Sequence, residues 1–506
     1  MENSPSHPTA LLRRRHAFLL TGSAVVLLVL ALGVEHWPAN GLEAYDARSR
    51  PELIHGVDKV TRRNAAFLQM GLLKMSHEFC EPEMLAAHAP AAVQLFGQEC
   101  PKPPAHLLEQ DLPPSTALLP PVGSIPPGIT LVSLVCRSEH LFGEEDGIVT
   151  NPLETGPEWE RPAWVSARLD SEVLVESPIG LRIHGGFTRM TPQKGFRLVF
   201  SNDHGGKPAA PEGLFFGKDS PASSHFVLTN AWHPSRFKGA VATEIAGLLG
   251  CHVSKCVPVL VQINGTAIKA PFFIYQHQSA EFVRKRFGVE DIDFVRLKAR
   301  EPNENESYIE WRKWIRRERF PISMEEEGAR FDLAELSAWV VAMTFTATSD
   351  NNQGGYFKDR KDPNAKWRTL VWDMDQAFND TAHVHHGRRV NFRDQPFEAL
   401  IGDRARLFFR LIEGSAEYRE WFRTYVRQQL RTNLTQEKVM AIVDRYTAIA
   451  KLQPHTAPGL MESLQHSREF LTERQNTYLQ LVEQRLGEAE KFHDTRLGFF
   501  AENAGE

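Results

Sequence analysis

Cysteine is scarce in this sequence, with five among 506 residues. So few cysteines exclude a fold held together by a disulfide scaffold. A charge excess is also missing: 58 lysines and arginines stand against 63 aspartates and glutamates, a formal net charge of −5. Without a long basic tract, the chain lacks the electrostatic footprint of a nucleic-acid binder. We therefore expect no nucleic-acid partner.

Apolar residues, by contrast, are plentiful. The chain is 42% hydrophobic and 10% aromatic, so it can bury a large core, which excludes wholesale disorder. At ~100–200 residues per domain, the length allows two to four domains.

Long apolar runs are nearly absent, and the exception is AFLLTGSAVVLLVLALGV at residues 17–34. A run of about 18 apolar residues can cross a bilayer, and it exceeds the ~7–15-residue core of a cleaved signal peptide. Arg13, Arg14 and Arg15 precede it, so residues 1–16 are expected in the cytoplasm. The sequence predicts a single-pass signal anchor at residues 17–37 in the cytoplasmic membrane, with the main body periplasmic or at the cell surface. Cleavage of the helix is the alternative.

Disulfides are permitted in such a compartment. Cys80 and Cys100 could pair, and Cys251 and Cys256 could close a very short loop, which would leave Cys136 unpaired. Cysteine spacing does not fix the connectivity, so these pairings stay open.

Proline marks the main domain boundary. A helical collar is predicted at residues 38–100, followed by a Pro-rich linker at residues 101–127 that breaks regular structure. Residues 128–395 then form a core of strands with inserted helices. Residues 396–487 are helical by periodicity, and residues 488–506 form a polar tail. Strands followed by helices favour an α+β fold over a doubly wound sheet.

Within the core, several short apolar runs have the character of strands. Four of them are Ile129–Cys136, Phe196–Phe200, His225–Thr229 and Val257–Ile263. The stretch Phe331–Thr348 predicts a buried helix that Asp332 caps. A hairpin is predicted where the run YFK is followed by a DPNA turn and then WRTLVWDMD at residues 367–375.

One polar cluster follows the strand GLRIHGGF. The strand ends in Gly185 and Gly186, and the chain returns as a strand that carries Lys194 and Arg197. Adjacent glycines let backbone N–H groups approach an anion, which a basic side chain on the returning strand can neutralise. A plain Gly-Gly hairpin with solvated charges is the alternative.

A second cluster is acidic. Asp350 opens the loop DNNQGGY after the buried helix, and Asp373 and Asp375 lie on the predicted strand at residues 367–375. Alternation along a strand points both of these side chains to one side. Hard oxygen ligands of this kind suit Mg²⁺ or Mn²⁺. The alternative is that Asp375 starts a turn and Asp350 caps a loop.

Four motifs together resemble the CotH kinase family of atypical kinase-like proteins: GIVTNP, EWERP, LRIHGG and WDMDQAF. The resemblance extends from Ile129 to about Arg485. It implies an atypical protein-kinase-like fold with a C-terminal helical region, with ATP and Mg²⁺ or Mn²⁺ as ligands. It also implies Ser/Thr phosphorylation of an unknown protein substrate or envelope partner.

The resemblance also assigns catalytic residues. Lys194 matches the second lysine of the family's Pro-Lys-Lys pattern, which implies contact with nucleotide phosphates. Asp350 matches the catalytic-loop aspartate, and Asp373 matches the metal-holding aspartate of the Trp-Asp-x-Asp motif. Asp375 is expected to support the metal or hold a second one.

Further binding residues follow from the same resemblance. Arg182 and Arg236 stand at positions that are usually basic in the family, which implies that they clamp phosphate. His184 belongs to the same nucleotide-binding group, although a packed histidine is the alternative. Gly355 stands just before Tyr356 where the family has an asparagine, so Asn351 or Asn352 would have to replace it as a metal ligand, and Asn352 is the predicted one.

The family's glutamate is also missing, since Gln276 or His277 stands at its position. A neutral glutamine would orient a lysine less strongly than a carboxylate. We therefore keep an alternative function, a non-catalytic pseudokinase-like binding protein of the envelope or surface. A transferase for another phosphorylated donor is a further possibility.

Overall fold

The computed structural model describes residues 126–503, with the exception of several short segments. These segments are residues 144, 190–193, 218–219, 231–234, 269–270, 298–304, 318–322, 381, 386–387 and 453–458. The predicted anchor at 17–37, the collar and nearly all of the Pro-rich linker lie outside the described residues. Across the described part of the chain, no helix combines the length and apolar character that a membrane span requires.

The chain divides into two units. One comprises Gly71–His385 with Val390–Glu506, and the other comprises Met1–Met70 with His386–Arg389. The elements named below belong to the first unit, with Arg388 and Arg389 as the exception.

An eight-stranded sheet fills the first part of the described chain, in the order β1-β2-β3-β4-β5-β9-β7-β8. Its strands are β1 Thr130–Cys136, β2 Arg161–Leu169, β3 Glu172–His184, β4 Gly195–Val199, β5 His225–Asn230, β7 Cys256–Ile263, β8 Thr266–Ala267 and β9 Phe272–Gln276. A parallel pairing between β1 and β7 brings the strand order back to its start, so the sheet closes on itself. The four predicted strand runs are confirmed.

Alternate residues of these strands are apolar and form one buried cluster. Leu181 and Ile183 of β3, Phe196 of β4 and Ile274 of β9 all belong to it. Because successive side chains of a strand point to opposite faces, the residues between them lie on the other face of the sheet. On β3 and β4 these are Arg182, His184 and Arg197.

A four-stranded sheet follows, in the order β10-β11-β12-β6. Its strands are β6 His252–Val253, β10 Ile292–Arg296, β11 Gly355–Asp359 and β12 Arg368–Val371. The predicted hairpin is confirmed, because β11 and β12 pair antiparallel, with Phe357 opposite Arg368. The prediction that Asp373 and Asp375 lie on this strand is wrong, because the strand ends at Val371. Asp373 has φ 61°, a left-handed conformation that an extended strand does not accommodate.

The helices that precede the β11–β12 hairpin in the chain are short or buried. They are α1 Ser138–Phe142, α2 Ser235–Leu248, α3 Ala280–Phe287, α4 Glu306–Arg317, α5 Met324–Gly328 and α6 Leu333–Phe345. The predicted buried helix is confirmed as α6, which packs almost entirely inside the larger core. The predicted cap is confirmed too, because the Asp332 carboxylate accepts a hydrogen bond of 3.0 Å from the backbone N–H of Glu335.

The C-terminal helical region is confirmed as well. Two short strands, β13 Ala382–His385 and β14 Arg388–Asn391, precede it. Its helices are α7 Gly402–Gly414, α8 Ala416–Thr432, α9 Gln436–Leu452 and α10 Leu460–Asn503. Helix α10 extends through most of residues 488–506, which the sequence predicted as a polar tail.

The cysteines of the described chain are free thiols. Cys136, Cys251 and Cys256 are all unpaired, so the suggested bond between Cys251 and Cys256 does not form. Cys251 packs into the larger core, whereas the Sγ of Cys256 lies 3.2 Å from the hydroxyl of Tyr446. Both thiols pack against the larger core, and Cys256 also contacts a tyrosine hydroxyl. Cys80 and Cys100 lie outside the described residues.

Loss of the Asp332 cap should destabilise the protein measurably. We expect Asp332→Ala to lower the free energy of unfolding by about 1 kcal/mol, because the first turn of α6 loses its side-chain acceptor. Asp332→Asn keeps an acceptor and should cost less than half as much. Urea denaturation followed by circular dichroism measures both variants, and equal losses would contradict the capping role.

Candidate active site

The loop after α6 lies beside the segment after β12. The backbone N–H of Ser349 donates to the carbonyl of Gln376 at 3.0 Å, and that of Phe378 donates to the carbonyl of Thr346 at 2.6 Å. Asp350 and Asp375 each lie one residue from the first of these bonds. The structure therefore brings the two acidic segments singled out in the sequence together.

Asn351 fixes this loop to the C-terminal helical region. Its side chain is 1% exposed. The Asn351 amide donates to the carbonyls of Thr348 (3.0 Å) and Ala399 (2.8 Å), and its oxygen accepts from the backbone N–H of Ile401 at 3.0 Å. Because these bonds fix Asn351, they also fix the backbone of Asp350, which precedes it in the chain.

Arg404 of α7 holds the other side of the same loop. Its guanidinium donates to the carbonyls of Asn351 at 3.1 Å and Gln353 at 2.6 Å, and it stacks over the ring of Trp339. Asp350 itself accepts a hydrogen bond of 2.7 Å from the Gln353 amide. The loop is therefore braced from both sides, and these hydrogen bonds fix the backbone position of Asp350.

Arg236 connects α2 with the acidic segment after β12. One of its terminal nitrogens lies 3.3 Å from an oxygen of Asp373 and 3.3 Å from an oxygen of Asp375. Burial acts to lower the pKa of Arg236, but the carboxylates of Asp375 and Asp373 outweigh it and the pKa lies above its ordinary value. The carboxylates of Asp373 and Asp375 thus point to the same side, as predicted. The reason is their shared contact with the Arg236 guanidinium and not alternation along a strand.

A glycine allows this close approach. A Cβ added at Gly239 of α2 would lie 2.9 Å from the Cα of Asp375, which is closer than real Cβ atoms approach. A side chain at this position would push the helix off the acidic segment. Gly239 therefore sets the distance over which Arg236 reaches both carboxylates.

Backbone strain is concentrated in these two segments. Ala347, Asp373 and Phe378 all have positive φ values, of 46°, 61° and 56°. Each left-handed residue other than glycine costs of order 1–3 kcal/mol and persists only where its surroundings impose it. Such strain is typical of functional sites.

The predicted phosphate-binding residues of β3 and the following turn are already engaged. Arg182 lies 3.4 Å from the carboxylate of Glu160. The Lys194 ammonium donates to the carbonyl of Arg189 at 2.7 Å, inside the turn between β3 and β4. Burial lowers the pKa of Lys194 to about 8, and the charge of Arg189 acts in the same direction. This bond of Lys194 is made to a residue five positions earlier in the chain, and its role toward phosphate stays a prediction.

Sequence reasoning named Arg197 as a possible anion partner but missed the group that it forms with Arg296 and His277 near the two aspartates. Arg197 and Arg296 both reach the ring of His277, at 2.8 Å and 3.2 Å from its Nε2 atom. The His184 ring meets His277 edge-on, with ring centroids 6.2 Å apart. Burial lowers the pKa of His184 and of His277 well below the ordinary value, with Arg197 and Arg296 adding to the shift. His184 therefore packs against this group, and its role toward a nucleotide stays a prediction.

The departures from the family pattern have structural explanations. The Gln276 amide accepts from the hydroxyl of Ser220 at 3.3 Å and donates to the carbonyl of Pro221 at 3.1 Å. A Cβ added at Gly355 would lie 2.8 Å from the carbonyl oxygen of Val295, so an asparagine there would require the strands to move. Position 355 therefore has no room for the family's asparagine as the strands are arranged. Position 276 has room for a glutamate, but its glutamine amide is held by Ser220 and Pro221.

Asn352, the predicted substitute ligand, packs against the start of α7. A Cβ added at Gly402 would lie 2.3 Å from the Oδ1 atom of Asn352. Gly402 also has φ 87°, which favours glycine there. Coordination of a metal by Asn352 stays a prediction.

The donor set fits one kind of metal better than others. Within the described part of the chain, no three acidic, histidine or cysteine side chains gather as a metal cluster. Asp373 and Asp375 offer two carboxylates within reach of one nitrogen of Arg236. Mg²⁺ commonly binds through one or two carboxylates, with water and substrate phosphates as its other ligands. The pair suits a metal that arrives with phosphate.

Comparison with known proteins adds information on the second half of the chain. A family model described as CotH kinase protein matches residues 274–486, so the predicted resemblance is confirmed for these residues. The match includes Asp350, Asp373 and Asp375, while Lys194 and Arg236 lie outside it. No match was found among curated proteins.

Two solved structures show distant similarity. The Helicobacter pylori proinflammatory kinase CtkA is 11% identical, with a TM-score of 0.30, over 53% of this chain and 95% of that protein. The Golgi casein kinase is also 11% identical, with a TM-score of 0.29, over 60% of this chain and 74% of the other.

Removal of the Asn351 side chain should loosen the loop that carries Asp350. We expect Asn351→Ala to lower the free energy of unfolding by about 2–4 kcal/mol, because the buried groups of Ala399 and Ile401 lose their partners. Urea denaturation measures this loss. Asn476→Ala is the matched control, since exposed Asn476 makes one bond within its own helix and should cost little. A loss no larger than that of the control would contradict the bracing role.

Proposed function

We propose that this protein is a CotH-type phosphotransferase that uses ATP and a divalent metal to phosphorylate Ser or Thr residues of a protein substrate. The observation that carries the proposal is the pair Asp373 and Asp375, held on one side by Arg236 and joined to the Asp350 loop. The match of residues 274–486 to the CotH kinase model supports it, because all three aspartates lie within that segment.

Each residue has a role in this proposal. Mg²⁺ or Mn²⁺, when bound, neutralises the phosphates of ATP, and Asp373 and Asp375 hold it. Asp350 accepts the proton of the attacking hydroxyl, and the Arg236 guanidinium offsets negative charge beside the carboxylates. Phosphoryl transfer depends on positioning and charge neutralisation more than on covalent help from the protein, and these side chains supply both.

Metal-dependent nucleotide binding should require Asp373. We expect Asp373→Ala to weaken Mn²⁺-dependent ATP binding by about 100-fold or more, since even residues outside direct coordination cost ~10–100-fold in metal affinity. Isothermal titration calorimetry of the protein with ATP, with and without Mn²⁺, measures the effect. Asp444→Ala is the control, because Asp444 is exposed on α9 and pairs with Arg468. Equal affinity in the wild type and in Asp373→Ala would refute the site.

Catalysis should separate from binding at Asp350. We expect Asp350→Asn to retain ATP affinity within about twofold and to lose about 10²–10⁴-fold in phosphate transfer, the usual contribution of a positioned base. Transfer from γ-labelled ATP to the chain itself or to casein measures the rate, with Asp444→Asn as the control. Unchanged transfer by Asp350→Asn would remove this residue from the chemistry.

A second candidate function is a non-catalytic binding protein of the envelope or surface. Gln276 favours it, because a neutral amide held by Ser220 and Pro221 stands where the family has a glutamate. ATP binding without transfer to any acceptor would favour this candidate. Display outside the cytoplasmic membrane is part of both proposals and rests on residues 13–34 of the sequence alone.

A further inference from the structure

Two guanidinium groups converge on one histidine at the edge of the candidate site. Arg197 lies in β4, His277 follows β9 of the same closed sheet, and Arg296 ends β10 of the second sheet. The terminal nitrogens of both arginines lie within hydrogen-bond distance of the His277 Nε2 atom. We refer to these three residues as the Arg197 cluster.

The hydrogen bonds fix the protonation state of the histidine. A guanidinium can only donate, so His277 Nε2 accepts and the proton of a neutral ring is on Nδ1. This Nδ1 atom is buried and has no hydrogen-bond partner in the part of the chain that the structure describes, and the same is true of the Nε atom of Arg197. Buried donors without acceptors are costly and rare in native proteins. Both donors lie in one cluster, where an acceptor-rich ligand would satisfy them together.

The charges of the cluster are only partly compensated, because Glu160 acts on Arg197 and Asp373 acts on Arg296 without forming an ion pair with them. The carboxylate of Glu160 pairs with Arg182 and His204, and Asp373 and Asp375 pair with Arg236. Of the described residues, none places a carboxylate within ion-pair distance of Arg197 or Arg296. Burial, followed by the neighbouring arginines, lowers the pKa of Arg197 to about 9. An anion would relieve this repulsion.

The cluster borders the two aspartates. The Arg296 guanidinium lies over the ring of Trp372, 4.7 Å from its centroid, and Trp372 directly precedes Asp373. The charge of Asp373 acts on Arg296, and the charge of Arg236 acts on His184. A ligand with several phosphates in a row could therefore reach from the cluster to the carboxylate pair.

We propose that the Arg197 cluster binds the phosphate groups of a polyphosphate ligand, with Arg197 and Arg296 as charged donors and His277 Nδ1–H as a neutral one. Arginine suits this task because its planar fork can donate two parallel hydrogen bonds to a phosphate. Under the proposed function, on which this assignment of the ligand rests, the polyphosphate is the triphosphate of ATP. The cluster then makes the phosphate contacts that the family resemblance assigned to Lys194.

Inorganic tripolyphosphate tests the cluster without the metal and without the nucleoside. We expect the whole protein to bind it in metal-free buffer, with an affinity that falls as NaCl is raised, because anion binding is screened by salt. Arg197→Met and Arg296→Met should each weaken this binding about tenfold or more, since each removes a charge-assisted donor. Isothermal titration calorimetry measures both affinities.

Arg427→Met is the matched control, because Arg427 is half-exposed on α8 and pairs with Glu483. It should bind tripolyphosphate like the wild type. Where a Met variant fails to fold by circular dichroism, Arg197→Lys and Arg296→Lys replace it. These keep the charge and lose the fork, so a several-fold weaker affinity is expected.

The outcomes separate this inference from the proposed function. If the wild type does not bind tripolyphosphate, or if the cluster variants bind it as tightly as the wild type, the inference is overturned. Metal-dependent ATP binding that needs Asp373 would leave the proposed function intact in that case. Conversely, tripolyphosphate binding that the cluster variants lose supports the inference. If ATP with Mn²⁺ then binds no better than tripolyphosphate, the proposed nucleotide-dependent function is refuted while the inference stands.

Discussion

The contact on which the candidate site depends is the ion pair of Arg236 with two aspartates. It joins α2, which leads away from the closed sheet, to the segment that follows the second sheet. Only 17% of the Arg236 side chain is exposed. Removal of either carboxylate would therefore leave its guanidinium less fully paired and with little access to solvent. Gly239 sets the approach, and the bond from Ser349 to Gln376 carries the Asp350 loop along. Arg236 thus fixes the relative positions of Asp373 and Asp375, and backbone hydrogen bonds place the Asp350 loop beside them.

Positive and negative groups are divided between two neighbouring regions. The acidic side has Asp350, Asp373 and Asp375, and the basic side has Arg197 and Arg296 around His277. The Lys194 ammonium, just before β4, donates to the carbonyl of Arg189. In the proposed function this division serves phosphate transfer, because a metal and cationic side chains would neutralise opposite ends of one polyphosphate.

Local patterns were enough to predict much of the fold and part of the site. The α6 helix, its Asp332 cap and the β11–β12 hairpin each depend on residues close in sequence, and all three are confirmed. The predicted strand through Asp373 is wrong, because Asp373 has a left-handed backbone that neighbours distant in sequence impose. Arg296 was missed because its contact with His277 arises only when the two sheets come together. Arg197 was named as a possible anion partner, but nothing local indicated that it would meet His277.

The most direct test is to locate the metal. Crystals of the protein with Mn²⁺ and a non-hydrolysable ATP analogue would show the ion by anomalous diffraction at the manganese edge. The proposed function predicts an anomalous peak coordinated by the carboxylates of Asp373 and Asp375 and by phosphate oxygens, with Arg236 shifted from its position between them. A nucleotide bound elsewhere, or a manganese ion that contacts neither aspartate, would contradict it.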